Sequence, residues 1–132
     1  MAISVFNGAG SDTNTGINFG KSIISSYRYN QLGTGDTKFG AYDTEYFSFN
    51  GNGTYTCKKT CNVVIFVVAG AVIGNSEVAA DLYKNSDKIA IFGANGGCKL
   101  LNTQLTVGTE LTFRSYVQRT SGSSVLNVYL QN

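Results

Sequence analysis

Hydrophobic and polar positions alternate with period two in several stretches of this chain. The most informative stretch is 62–73. Val63, Ile65, Val67 and Ala69 fall on one face of an extended strand, and Val64, Phe66 and Val68 fall on the other. Both faces are apolar and rich in β-branched residues, which predicts burial on both sides. An antiparallel sandwich normally leaves one face of a strand wet, so the second face predicts a subunit interface or a covering loop. Residues 110–118 alternate cleanly, with Leu111, Phe113, Ser115 and Val117 opposite Thr112, Arg114, Tyr116 and Gln118. Shorter strand patterns cover 54–57, 88–92, 99–106 and 125–130, and Tyr42, Tyr46, Phe47 and Phe49 form an aromatic stretch.

Turn chemistry punctuates these runs. Asn50-Gly51-Asn52-Gly53 is the strongest turn, because Asn and Gly tolerate positive φ. Lys58-Lys59-Thr60, Asn85-Ser86-Asp87, residues 93–97, Val107-Gly108-Thr109 and residues 120–124 supply further turns. Two segments are ambiguous. KSIISSYRYNQL (21–32) has mixed periodicity and reads as strand or short helix, and EVAADLYKN (77–85) reads equally well as helix or strand. About eight strands at spacings of roughly 8–12 residues predict an all-β antiparallel sandwich or jelly roll. Residues 1–36, opening with a Gly-, Asn-, Ser- and Thr-rich lead-in, are expected to be an extended attachment or wrapping segment, and 37–132 the folded domain.

Composition narrows the function more than the fold. The 132 residues suit one domain that buries about two-thirds of its unfolded surface. Charged residues are 14%, against a usual value of about 25%. The surface is therefore built from Ser, Thr, Asn, Gln and Gly. A net charge of +2 is too small for an electrostatic nucleic-acid binder. The absence of histidine removes His-based triads and His metal sites. No apolar run approaches the length of about 20 that a membrane helix needs, and the N-terminus lacks a signal-peptide pattern. Synthesis and folding in a cytosol are expected.

The candidate chemistry is sparse. Cys57, Cys61 and Cys98 form an odd set; a local Cys57–Cys61 disulfide or a metal pair is conceivable, but the preferred reading is reduced thiols acting as small hydrophobes. The Gly-rich pieces at 8–10 and 93–97 lack the strand-then-helix context of a phosphate loop. Asp43 and Glu45, adjacent carboxylates on one strand face, read as solvating groups and not as a glycosidase pair. No catalytic residue, metal or cofactor is expected. Tyrosines beside polar groups suit sugar or protein contact, because the ring gives apolar area and the hydroxyl hydrogen-bonds. Loops carry function more often than strands. The expected loops at 26–30, 43–46, 92–97 and 119–123 then nominate Tyr27, Arg28, Tyr29, Asn30, Tyr46, Asn95 and Arg119 for a neutral or weakly acidic glycan. Val64, Phe66, Val68, Tyr116 and Tyr129 are the expected interface between copies.

Three segments carry a resemblance. FNGNGTYTCKKTCNVVIFVVAG (49–70), ADLYKNSDKIAIF (80–92) and QLTVGTELTFRSYVQRTSGSSVLNVYLQN (104–132) resemble tip domains of phage tail fibres and minor structural proteins. The same order is similar to complement- and tumour-necrosis-factor-like jelly rolls. The resemblance implies an antiparallel jelly roll of about eight to ten strands, assembled as a homotrimer. It implies a non-enzymatic virion protein, made in the host cytoplasm. Such a protein would join other virion proteins through its N-terminal segment and adhere to a host-surface glycan or protein, with neither nucleic-acid binding nor membrane insertion. The alternatives are a capsid-decorating component without a host ligand and a cellular complement-like binding module. Cys61 stands where such domains often have Gly after the Lys-Lys turn.

Overall fold

The computed structural model describes residues 19–31, 35–51, 53–70, 80–93, 95–115 and 121–131, with the backbone only at 28–31, 35–39, 115, 121 and 122. The strands are β1 (Phe19–Gln31), β2 (Gly35–Tyr42), β3 (Phe47–Phe49), β4 (Thr54–Cys57), β5 (Cys61–Ala69), β6 (Ala80–Lys84), β7 (Asp87–Phe92), β8 (Gly97–Leu105), β9 (Glu110–Ser115) and β10 (Ser121–Gln131). They form two antiparallel five-stranded sheets, ordered β2-β1-β10-β5-β8 and β3-β4-β9-β6-β7. Every described pairing is antiparallel, and the chain crosses between sheets six times, which gives jelly-roll connectivity.

Alternation decides what is inside. Val63, Ile65, Val67 and Ala69 of β5 enter the core between the sheets, facing Leu82, Leu111 and Phe113 from the other sheet. Leu126 and Val128 of β10, directly opposite Val67 and Ile65, join the same cluster. Tyr55 supplies an aromatic hub, stacked on Phe49 at 4.4 Å and edge-on to Tyr42 at 5.8 Å. Of the two readings of this segment, residues 80–84 form a strand, with Ala80 and Leu82 buried in the core.

Turns at one end of the sandwich join the sheets. Cys57 closes one of them: its N–H donates to the Thr109 carbonyl at 2.8 Å, and its carbonyl accepts from the Gly108 N–H at 2.8 Å. Gly108 sits at φ 91°, a conformation that a side chain disfavours. Asn85, at φ 56°, turns β6 into β7; Asn is among the few non-glycine residues that accept this region.

Three expectations are corrected. Residues 19–31 do not belong to an attachment segment: of the two readings of 21–32 the strand is the one formed, and β1 lies between β2 and β10, inside the sheet. Register shifts on either side of Ser22 place both Ile23 and Ile24 in the core, which breaks the period of two that would have marked a strand. Residues 121–124 are not a turn but the start of β10, where Ser121–Ser124 pair with Gln31–Arg28. Asp43 and Glu45 lie in the β2–β3 turn, not on a strand. Residues 1–18 fall outside the described residues.

Candidate binding surfaces

The two outer faces of the sandwich differ in chemistry. On the β2-β1-β10-β5-β8 sheet, the registers align rows of side chains that point away from the core. One row runs Tyr27–Val125–Val68–Cys98, and the next runs Ala41–Ser25–Asn127–Phe66–Leu100. A third runs Ser22–Tyr129–Val64–Asn102, with the Phe19 ring edge-on to Tyr129 at 5.0 Å. Leu100 is 44% exposed and Tyr27 38%, while Phe66, Val68, Val125 and Tyr129 are half-buried. A hollow of about 250 Å³ opens beside the β1 irregularity, lined by Ser22–Ser25 and Ala41–Asp43. The outer face of the other sheet instead carries Thr54, Thr56, Glu110, Thr112, Asp81 and Arg114.

Of the expected interface residues, Phe66, Val68 and Tyr129 share the apolar face. Val64 also lies in its rows but is fully enclosed within the protomer, so it offers no surface to a second copy. Tyr116 falls outside the described residues. The expected ligand residues do not converge. Tyr27 belongs to the middle of β1 and faces outward on the apolar sheet, not in a loop. Arg28, Tyr29 and Asn30 are also strand residues, and their side chains lie outside the description. Tyr46 is in the β2–β3 turn, at the end of the sandwich that carries the Lys58–Lys59 turn. Asn95 is exposed in the β7–β8 turn at the opposite end, and Arg119 is outside the described residues.

The end of the sandwich around Tyr46 is a collar of paired charges. Lys21 meets Asp43 at 2.6 Å, and Lys59 meets Glu45 at 2.7 Å while standing 5.2 Å from the centre of the Tyr46 ring. The Asp43 carboxylate also accepts from the Glu45 N–H at 2.9 Å. The hydrogen bond from Lys21, then that N–H, hold the Asp43 carboxyl below its ordinary value of 3.8. The same contact raises Lys21, and Glu45 raises Lys59. Lys21, Lys59 and Glu45 are solvent-exposed and Asp43 is partly buried, so the pairs set local geometry more than stability. Among the described residues, no group of three or more Cys, Asp or Glu side chains forms a metal site.

The cysteines take three different environments. Cys57 is buried in the core with its Sγ 3.1 Å from the Lys59 carbonyl. Cys61 is half-buried, and burial, followed by the neighbouring Cys57, pushes its thiol up to about 11. Cys98 is exposed, which corrects the reading of all three as small hydrophobes.

Among solved structures, GITRL from pika superposes with a TM-score of 0.55, covering 80% of this chain and 97% of that one at 10% identity. GITRL from bushbaby gives a TM-score of 0.51, covering 85% and 96% at 12% identity. The fold is a tumour-necrosis-factor-like jelly roll. Identities this low establish the fold alone. No family model matches the sequence, and no curated protein does. The outer face of one sheet carries these apolar rows, and the outer face of the other is mostly polar, with Ile91 52% exposed opposite Asp81.

Proposed function

We propose that this chain is a non-enzymatic binding module that works as a self-associated assembly, with the outer face of the β1, β10, β5 and β8 strands as the contact between copies. One observation carries the reading: a protomer with a well-filled core still presents Tyr27, Phe66, Val68, Leu100, Val125 and Tyr129 on one outer face. Contiguous apolar area of this kind marks an interaction surface in soluble proteins. Charge is depleted from the buried centre of interfaces, and these rows carry no Lys, Arg, Asp or Glu.

A homotrimer is the assembly that the resemblance to complement- and tumour-necrosis-factor-like jelly rolls implies. Linking three sites multiplies avidity without new chemistry, because later contacts become intramolecular. The fold shared with GITRL favours a complement- or tumour-necrosis-factor-like module over a virion component. The fibre-tip reading, with adhesion to a host-surface glycan, rests on the sequence resemblance of residues 49–70, 80–92 and 104–132.

Light scattering of the purified chain at micromolar concentration tests the assembly. The expected mass is three times the 14.1 kDa chain. A single mass of 14.1 kDa overturns the proposal.

A further inference from the structure

We infer that Asn50, at the head of the β3–β4 turn, is a site of spontaneous covalent modification, converted through a cyclic imide to aspartate and isoaspartate. The turn belongs to the sheet that does not carry the apolar rows, so the inference does not depend on self-association. Two Asn–Gly pairs have their asparagine among the described residues, Asn50–Gly51 and Asn95–Gly96, and both asparagines are exposed. As dipeptides they are equivalent. The fold makes them different.

The chemistry is intramolecular and needs only water. The Gly51 nitrogen gives up its proton to solvent base and attacks Cγ of Asn50. A bond forms between that nitrogen and Cγ, which closes the imide ring. The bond from Cγ to Nδ2 breaks, and the amide nitrogen leaves as ammonia with a proton returned by solvent. Water then opens the imide. Cleavage at the side-chain carbonyl gives aspartate, and cleavage at the main-chain carbonyl gives isoaspartate. Nothing is oxidised or reduced. The attacking nitrogen and Cγ belong to one short stretch of covalent chain, so their proximity is built in. The fold controls two other things: how strongly Cγ is polarised, and whether the nitrogen is available.

At Asn50 both conditions are met. The Thr54 N–H donates to Asn50 Oδ1 at 3.1 Å, while the Asn50 N–H donates to the Thr54 carbonyl at 3.1 Å. Negative charge develops on Oδ1 when Cγ is attacked, so the Thr54 N–H is an oxyanion donor already in place. The pairing of Phe49 with Tyr55, whose rings stack at 4.4 Å, anchors this arrangement from below. Gly51 is exposed at φ 84°, with no atom within 4 Å of the place a Cβ would take. Among the described residues, no acceptor takes its N–H. Solvent base therefore reaches the nitrogen without a side chain in the way. At Asn95 the nucleophile is committed: the Gly96 N–H donates to the Gly93 carbonyl at 2.9 Å, which closes a turn. Attack there first requires breaking that bond.

Conversion of Asn50 changes the turn in two ways. A carboxylate replaces a neutral carboxamide and lowers the formal net charge by one from +2. Aspartate keeps an acceptor for the Thr54 N–H. Isoaspartate instead adds a carbon to the main chain inside the turn, and turn length fixes the register of the strands it joins. The isoaspartate form should therefore loosen the closure between β3 and β4.

The test is a timed incubation of the full chain in mildly alkaline buffer, with a parallel series in urea. Each sample is digested at low pH, where the attacking nitrogen keeps its proton, and read by electron-transfer fragmentation. Fragment ions separate Asn50 from Asn52 and distinguish isoaspartate from aspartate. In the folded chain Asn50 should convert at least about tenfold faster than Asn95, the rate equivalent of one hydrogen bond broken before attack. In urea the two rates should converge. The Asn50 rate should rise about tenfold per pH unit, because the deprotonated nitrogen is a minor form throughout the range. Four results overturn the inference: Asn50 staying intact, Asn95 keeping pace with it in the folded chain, the product lying at Asn52 instead, or a rate difference that persists unchanged in urea.

Discussion

Truncating Phe66 separates a side chain that serves the assembly from one that serves the protomer. Phe66 lies in the middle row of the apolar face, between Asn127 and Leu100, and is half-buried in the single chain. Fully burying a Phe side chain contributes about 1.5–3 kcal/mol, so the half still exposed is worth about 1 kcal/mol when a second copy covers it. Three copies lose about 3 kcal/mol per trimer in Phe66→Ala, which weakens trimerisation roughly a hundredfold. The protomer itself should lose only about 1 kcal/mol. Phe113→Ala is the contrast, because Phe113 is fully enclosed between the sheets. Its truncation should cost about 3–5 kcal/mol of protomer stability. Sedimentation over a dilution series reads the first quantity and urea unfolding of the dilute chain reads the second. If Phe66→Ala destabilises the dilute protomer as much as Phe113→Ala and leaves the dilution curve where it was, Phe66 is a core residue and the reasoning fails.

Two further outcomes follow from the thiols and the collar. Maleimide should label Cys98 first and Cys57 and Cys61 far more slowly, since Cys98 is exposed while burial raises Cys61 and encloses Cys57; mass spectrometry of timed aliquots checks the order. Labelling of Cys98, which lies in the apolar rows beside Val68, should slow as the chain assembles. In the collar, Asp43 has its carboxyl held low by Lys21, so its contribution is present above the ordinary value of 3.8 and is lost as pH falls through its folded value. Lys21 works in the opposite direction: its contribution is present below 10.5 and fades as pH rises through its raised folded value. Lys21→Ala should move the Asp43 carboxyl titration upward when followed by ¹³C NMR, and an unchanged titration would count against the ion pair in solution.

Much of the sandwich was legible because period-two alternation is a local signal. β5 could be read to the face: the odd positions 63–69 were separable from 64, 66 and 68, and the odd set is the core. β1 was harder because its contribution to the core is two adjacent residues, Ile23 and Ile24, on either side of a register shift. Ser121–Ser124 looked like a turn because Ser and Gly favour turns, yet Gly70 approaches Ser123 closely and its N–H donates to the Ser123 carbonyl at 2.8 Å. The small side chains there answer to a neighbour more than fifty residues away, which no local pattern reports. The ligand residues were harder still. Their selection assumed that tyrosines at 27 and 29 lay in a loop, and strand β1 removes that premise for both. The Asp81–Arg114 fork joins residues 33 apart in sequence, and only the β6–β9 pairing brings them together.

The scarcity of charge gains a physical account from where the charge is placed. The described ion pairs lie in the collar, at Lys21–Asp43 and Lys59–Glu45, and on the polar sheet, at Arg114–Asp81. The rows across β1, β10, β5 and β8 receive none. A face that solvent wets permanently gains solubility from charge, whereas a face that another copy covers loses by it, because an uncompensated charge there must be desolvated. Ser25→Lys tests this argument. Ser25 is exposed, lies in the middle row opposite Asn127 and Ala41, and fills no part of the core. In the single chain the new ammonium stays in water, so stability should change by no more than about 0.5 kcal/mol. In the assembly three ammonium groups enter the contact, each costing several kcal/mol, or about 10 kcal/mol together, which is enough to abolish a micromolar association. The expected result is a folded chain of 14.1 kDa by light scattering, with a melting curve that overlays the dilute parent. A trimer that survives Ser25→Lys would mean that the contact between copies lies on another face, and the absence of charge from these rows would need a different cause.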